Sequence, residues 1–217
     1  MKLYFSPLAC SLATRIALHE AGADATFVEV DPKTKQTSDG VDFRTIHSLG
    51  LVPTLEIEPG QILTENAAIL QLVADRFPAA RLAPTDALGR AHLQQWLCFI
   101  GTELHKSIYM PLLDREADPA VHAYAQRRVP SRLGWVASQL AGRPFVLDEF
   151  SVADAYLFAV LTWSQACPVD LTPWPTLRAY HAALRSRPSV ARAFAEERAL
   201  YQRERDRHAP RATGAGA

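Results

Sequence analysis

The sequence predicts an α/β module followed by an all-α bundle, and three observations carry that expectation. Short strand-like runs alternate with helical spacing up to Leu63. Strand signals stop after Pro78 and Pro84, and from Leu88 to Leu200 apolar residues recur at helical spacing. The 217 residues can bury one large core or two small ones. A composition of 48% hydrophobic and 21% charged residues excludes disordered, collagen-like and disulfide-scaffold chains. Lys and Arg number 23 against 23 Asp and Glu, so no whole-molecule field favours nucleic acid or an anionic membrane.

Lys2-Leu3-Tyr4-Phe5 is a short apolar run stopped by Ser6-Pro7, and Leu12, Ile16, Ala17 and Leu18 then follow helical spacing until Gly22. Thr26 to Val30 is a second strand ending at Asp31-Pro32, so the unit is a βαβ with parallel strands. Lys33 to Leu51 is polar and turn-rich, with room for one helical turn between Val41 and Ile46. Val52 to Ile57 alternates like a strand, Glu58-Pro59-Gly60-Gln61 is a turn, and Ile62-Leu63 returns as its partner. Glu65 to Arg76 carries Ile69, Leu70, Leu72 and Val73 on a helical face. The order βαβ-ββα matches a module of the thioredoxin type.

Leu88 to Leu113, Pro119 to Leu140, Val152 to Ala166 and Pro175 to Leu200 fit helices interrupted by Pro130 and Pro188. The expected division is residues 1–78, a linker at 79–86, an all-α domain at 87–201 and a flexible tail at 202–217. Cys10, Cys98 and Cys167 are widely spaced with no CxxC pair, which fits reduced thiols better than a zinc site or disulfide framework. Met1 to Pro7 enters strand-like sequence directly, and no apolar stretch reaches about 18 residues, so a cytoplasmic protein is expected.

Several positions can carry chemistry. Cys10 falls between the first strand and the first helix, where unpaired N–H groups favour a thiolate, although a lone cysteine is equally a small core residue. Ser6 and Ser11 flank it as hydroxyls that could also cap the helix. The Val52-Pro53 bond, if cis, would expose the backbone of Val52 to a peptide-like ligand; the sequence leaves the isomer open. Thr64-Glu65-Asn66 opens a helix, where a carboxylate and an amide suit an amino-acid head group or ordinary capping. Thr102, His105 and Lys106 gather on one helical side, facing either an anion or solvent. Ser151-Val152-Ala153-Asp154 has capping-box spacing and is folding information.

Taken together, the runs Lys2-Leu3-Tyr4, Ser6-Pro7, Ala9-Cys10-Ser11-Leu12, Val52-Pro53, Leu63-Thr64-Glu65, Thr102 to Lys106 and Ser151 to Leu157 resemble the cytosolic glutathione transferases, specifically the bacterial beta class. The likeness covers roughly residues 1 to 200. It implies a thioredoxin-like domain that binds glutathione as co-substrate without a metal, a helical domain that builds the electrophile pocket, and a homodimer. By motif, Cys10 and His105 are the implied catalytic residues. Lys35 would meet the glycine carboxylate, Leu51, Val52 and Pro53 the cysteinyl unit, and Glu65 with Asn66 the γ-glutamyl head. Cys98, Thr102, Glu103, Leu104 and Lys106 would complete the glutathione site, some of them across the dimer interface. Leu8, Tyr109, Met110, Leu112, Leu113 and Trp163 would line an apolar electrophile pocket, or else belong to the bundle core.

Two departures from the beta-class pattern bear on affinity. Leu49 stands where that pattern has a lysine, and Cys98 where it has an asparagine. The expected activity is attack of the glutathione thiolate on a small apolar or aromatic electrophile. The alternatives are thiol–disulfide exchange through Cys10 and a glutathione- or ligand-binding protein without turnover. Neither nucleic acid nor membrane is expected as a partner.

Overall fold

The structure is a computed structural model and describes residues 1–208. Its N-terminal part runs β1 (Lys2–Phe5), α1 (Ser11–Glu20), β2 (Thr26–Glu29), β3 (Thr54–Glu58), β4 (Gln61–Thr64) and α2 (Asn66–Arg76). The strands form one sheet in the order β2-β1-β3-β4. β1 pairs β2 in parallel, as a βαβ crossover requires, and β1–β3 and β3–β4 pair antiparallel. Leu3 aligns with Phe27 on one side and Leu55 on the other.

Alternation along β1 explains why its consecutive residues Leu3, Tyr4 and Phe5 are all apolar or aromatic. Leu3 and Phe5 belong to the main core with Ile16 and Leu70 of the helices, whereas Tyr4 on the opposite face joins Val30 and Phe43. Phe43 lies in a single 3-10 turn, Phe43–Thr45, whose Asp42 side chain accepts the Arg44 N–H. The polar segment expected from residue 33 to 51 is thus the cover of the second sheet face.

The helical part comprises α3 (Ala87–Phe99), a π-helical segment (Ile100–Tyr109), α4 (Met110–Leu113), α5 (Pro119–Gln139), α6 (Val152–Thr162), α7 (Pro175–Arg185) and α8 (Pro188–His208). α6 is the hub: every residue from Val152 to Thr162 is buried, as expected of a helix apolar on all sides. It packs on α1 and on the π segment, joining the two parts through one core. The capping box forms as read, with Ser151 and Asp154 bonded reciprocally. Asp154 also accepts from Val146 N–H and the Tyr180 hydroxyl, tying α6 to α7.

Three expectations are corrected. Pro130 does not interrupt its helix: α5 passes through it, with Val129 and Leu133 buried on either side. Packing there outweighs the roughly 3 kcal/mol cost of an internal proline. The single helix expected from Leu88 to Leu113 widens into the π segment across the Thr102–Lys106 motif. α8 continues to His208, past the position where the flexible tail was expected to begin. Arg207 and His208 of α8 bond Glu29 and Asp31 beside β2, which anchors that end. The rest of the expected tail, 209–217, lies outside the described residues.

Candidate active site

One cleft of about 1990 Å³ runs between the sheet-bearing part and the helices. Cys10 lies in it at the N-cap of α1, 8% exposed. Its thiol donates to the Val52 carbonyl at 3.4 Å. Burial pushes the Cys10 thiol up to about 12, against the opposing charge of Lys106 and the nearby backbone N–H groups. The expectation of a thiolate stabilised by the helix end is therefore corrected: desolvation outweighs the N-terminal field, and Cys10 is a thiol at neutral pH. Ser6 and Ser11 are structural, donating to the Val30 carbonyl at 2.7 Å and the Ser6 carbonyl at 3.2 Å.

The loop ahead of Cys10 is fixed from the helical side. Leu8 has φ 58, its N–H donates to Glu197 at 2.7 Å, and its carbonyl accepts from the Trp163 indole at 2.8 Å. Glu197 is fully buried and stands 3.2 Å from Arg15, whose guanidinium is stacked between Phe5 and Phe27. Sequence reasoning missed this acid, because nothing in the apolar spacing of α8 distinguishes an inward carboxylate from an outward one.

The Val52-Pro53 peptide is cis. Lys35, Leu51, Val52, Pro53, Glu65, Asn66, Cys98, Thr102, His105 and Lys106 all line the cleft, as do Leu8, Met110, Leu113 and Trp163. Glu65 is exposed, has φ 68, and makes no capping bond, so its carboxylate is available to a ligand. Asn66 accepts from the Thr14 hydroxyl at 2.9 Å, and its buried Nδ2 has no protein partner. An orphaned amide donor at the wall of a cleft is the signature of a ligand or water site. Leu49 is 71% exposed and is not among the residues that line the cleft.

His105 stands 2.7 Å from the Tyr156 hydroxyl through Nδ1 and packs edge-on against Trp163. Burial, then the charge of Lys106, pulls it down to about 4. Of the expected basic pair, His105 is thus neutral at pH 7 and Lys106 carries the charge. Tyr156 was not singled out from the sequence, although a phenol buried in the mostly apolar α6 must find a partner and could have signalled it.

Other expected site residues lie elsewhere. Glu103 faces α5, pairing with Arg132 at 2.9 Å in a separate depression with Phe99 and Trp135. Leu104 is fully buried in the core. Tyr109 is fully buried behind Trp163, its hydroxyl 2.7 Å from Ser164, and Leu112 is likewise a core residue. The wider π-helical turn and the packing of α5 decide these directions, and a spacing of three or four residues does not contain them.

The model of the glutathione S-transferase N-terminal domain matches residues 1–75, and that of the C-terminal domain residues 119–183. The chain is 36% identical over 202 residues to glutathione S-transferase GstA of Escherichia coli O157:H7, covering 91% of this chain and 98% of the relative. A sphingomonad glutathione S-transferase solved with glutathione is 41% identical, with a TM-score of 0.86 over 91% of this chain and 98% of its own. The bacterial beta-class enzyme of Sphingomonas chungbukensis is also 41% identical with a TM-score of 0.86, over the same 91% and 98%. The fold, the cleft and these likenesses agree that the chain belongs to the glutathione S-transferase family.

Proposed function

We propose that the protein conjugates the thiolate of glutathione to small electrophiles. The observation that carries this reading is the convergence on one cleft of the Cys10 thiol against Val52, the uncapped carboxylate of Glu65 and the orphaned amide of Asn66. Glutathione bears two carboxylates and one ammonium. Lys35 matches the glycine carboxylate, Glu65 the ammonium and the Asn66 amide the glutamyl carboxylate, and the Val52 backbone pairs with the cysteinyl amide between them. In this reading the glutathione sulfur lies at the start of α1 beside Cys10.

Because Cys10 holds its proton, it acts as an S–H donor to the glutathione sulfur, and the nucleophile is the glutathione thiolate, favoured by the α1 N-terminus and Lys106. A carbon–sulfur bond forms as the leaving group departs with its electron pair. His105, neutral and tied to Tyr156, orients the site wall and carries no charge into it. The raised Cys10 also disfavours the exchange reading, which needs a Cys10 thiolate as attacking group.

The same reading takes the protein as a cytoplasmic homodimer, in which Glu103 would serve the site of the second copy. Among the described residues no helix is long and apolar enough to cross a membrane. Isothermal titration with glutathione, followed by turnover of an aryl halide in the same sample, tests the proposal. Saturable binding with turnover is expected; binding without turnover, or no binding, would overturn it. Sedimentation at micromolar concentration is expected to show a dimer, and a monomer would refute that part.

A further inference from the structure

The cations of this cleft outnumber what glutathione can use. Once Lys35 is assigned to its glycine carboxylate and Lys106 to its thiolate, Lys33, Arg115, Arg185, Arg198 and Arg205 still line the same space. Among the described residues none of these five is within salt-bridge distance of a carboxylate. Most other arginines are paired, including Arg187, between α7 and α8, with Glu20 and Arg192 of α8 with Glu196. Only Glu65 and Glu204 contribute carboxylates to the cleft lining, and the first is assigned to the glutathione ammonium.

Arg185 and Arg198 line the same cleft as Leu8 and Trp163. Arg185 is at the end of α7, and its guanidinium carbon lies 3.5 Å from the ring centre of Phe194, which holds the group in place. Arg198 follows Phe194 by one turn of α8, on the same side of that helix. The two cations are close enough that, after partial burial, the charge of Arg198 is the next cause lowering the pKa of Arg185. Nearby acids do not relieve them. Glu196 and Glu197 of α8 are turned to Arg15, and His181 next to Arg185 is held neutral by burial, down to about 4. Two like charges kept together without a counter-ion in an open cleft form a receptor for an anion.

We infer that the electrophile this enzyme takes carries a carboxylate or an equivalent anionic group, bound by Arg185 and Arg198 while its apolar body lies against Leu8, Trp163 and Phe194. The inference rests on the glutathione-conjugation reading and names its second substrate. It adds an anionic group to the small apolar or aromatic electrophile expected from the sequence. The reaction is unchanged in kind: the glutathione sulfur bonds to the electrophilic carbon, the leaving group departs as an anion, and the thiol proton passes to solvent.

The test uses the full chain and two aryl chlorides of the same shape, para-chloro-meta-nitrobenzoate and its carboxamide, with their glutathione conjugates synthesised separately. Titration of the two conjugates reads the anion site without turnover. The carboxylate conjugate is expected to bind about tenfold more tightly than the carboxamide, as for a charge-assisted hydrogen bond. That ratio should fall with added salt and drop to about one in Arg185→Gln and in Arg198→Gln. Arg198 is exposed, so Arg198→Gln keeps the test valid if Arg185→Gln fails to fold. In turnover, kcat/KM divided by the uncatalysed rate should favour the benzoate in the same way. Equal binding of the two conjugates, with chlorodinitrobenzene still conjugated, overturns the anion site alone. Failure to bind either conjugate or to turn over chlorodinitrobenzene overturns the conjugation reading and the inference with it.

Discussion

The carboxylate of Glu197 near the middle of α8 accepts the backbone N–H of Leu8 at 2.7 Å, joining residues 189 positions apart. Leu8 is two residues before Cys10, so the last helix sets the path of the loop that presents the active-site thiol. Burial raises the Glu197 carboxyl to about 8, against the opposing charge of Arg15.

That shift has a definite sign in stability. The unfolded chain releases this proton near the ordinary value of 4.5, whereas the folded protein keeps it until about 8. The stabilisation is complete below the unfolded value and is lost as pH rises toward the folded one. Urea midpoints at pH 5 and pH 8 should therefore fall more steeply in the parent protein than in Glu197→Gln, which retains an acceptor for Leu8. Parallel slopes would refute the assignment.

Glu197→Ala removes the Leu8 acceptor and one of the two acids beside Arg15, which keeps Glu196 at 3.1 Å. A loss of about 1–3 kcal/mol is expected, as for a buried donor left unsatisfied. Urea unfolding at constant pH checks it, and a loss under about 1 kcal/mol would show that the clamp contributes little.

Glu65 separates stability from binding. It holds φ 68, a left-handed conformation that glycine adopts without penalty, and its side chain caps nothing. Glu65→Gly should raise stability by up to about 1 kcal/mol while raising the glutathione KM about tenfold or more through loss of the ammonium partner. Thermal melts and initial rates on one preparation read both, and a KM unchanged in Glu65→Gly would remove Glu65 from the site.

Cys10, pushed up to about 12, should resist alkylation at neutral pH, whereas exposed Cys98 should label readily. Mass spectrometry of iodoacetamide-treated protein decides between them. Conjugation should persist in Cys10→Ala within about tenfold of the parent, since the displaced role is one S–H hydrogen bond. Abolished turnover in a folded variant would make Cys10 itself the nucleophile.

His105 should titrate near 4 in the imidazole proton spectrum and show no inflection between pH 6 and pH 8. Lys106→Gln should raise that value only partly, because burial is the larger cause. A return to 6.5 in Lys106→Gln would place the cause in the charge instead.

The order of strands and helices was legible because each rests on local features. Examples are the alternation of Lys2 to Phe5, the Ser6-Pro7 stop, the Glu58–Gln61 turn and the Ser151–Asp154 box. The placement of Cys10 at the start of a helix was legible for the same reason. Its protonation was not, since desolvation by the Val52 segment and the helical part depends on residues far along the chain. Nor did spacing show that Glu103 turns to Arg132, that Tyr109 lies behind Trp163, or that α5 continues through Pro130.

The sequence by itself determined the elements and their order, because hydrogen-bonding, capping and apolar periodicity act over a few residues, and its motifs carried the family and a part of the cleft lining. Only the tertiary structure decided which charges remain unpaired at Arg185 and Arg198, which acid is buried at Glu197, and which histidine is neutral at His105. Those outcomes follow from burial and long-range packing, which set the cost of a charge by what surrounds it in space.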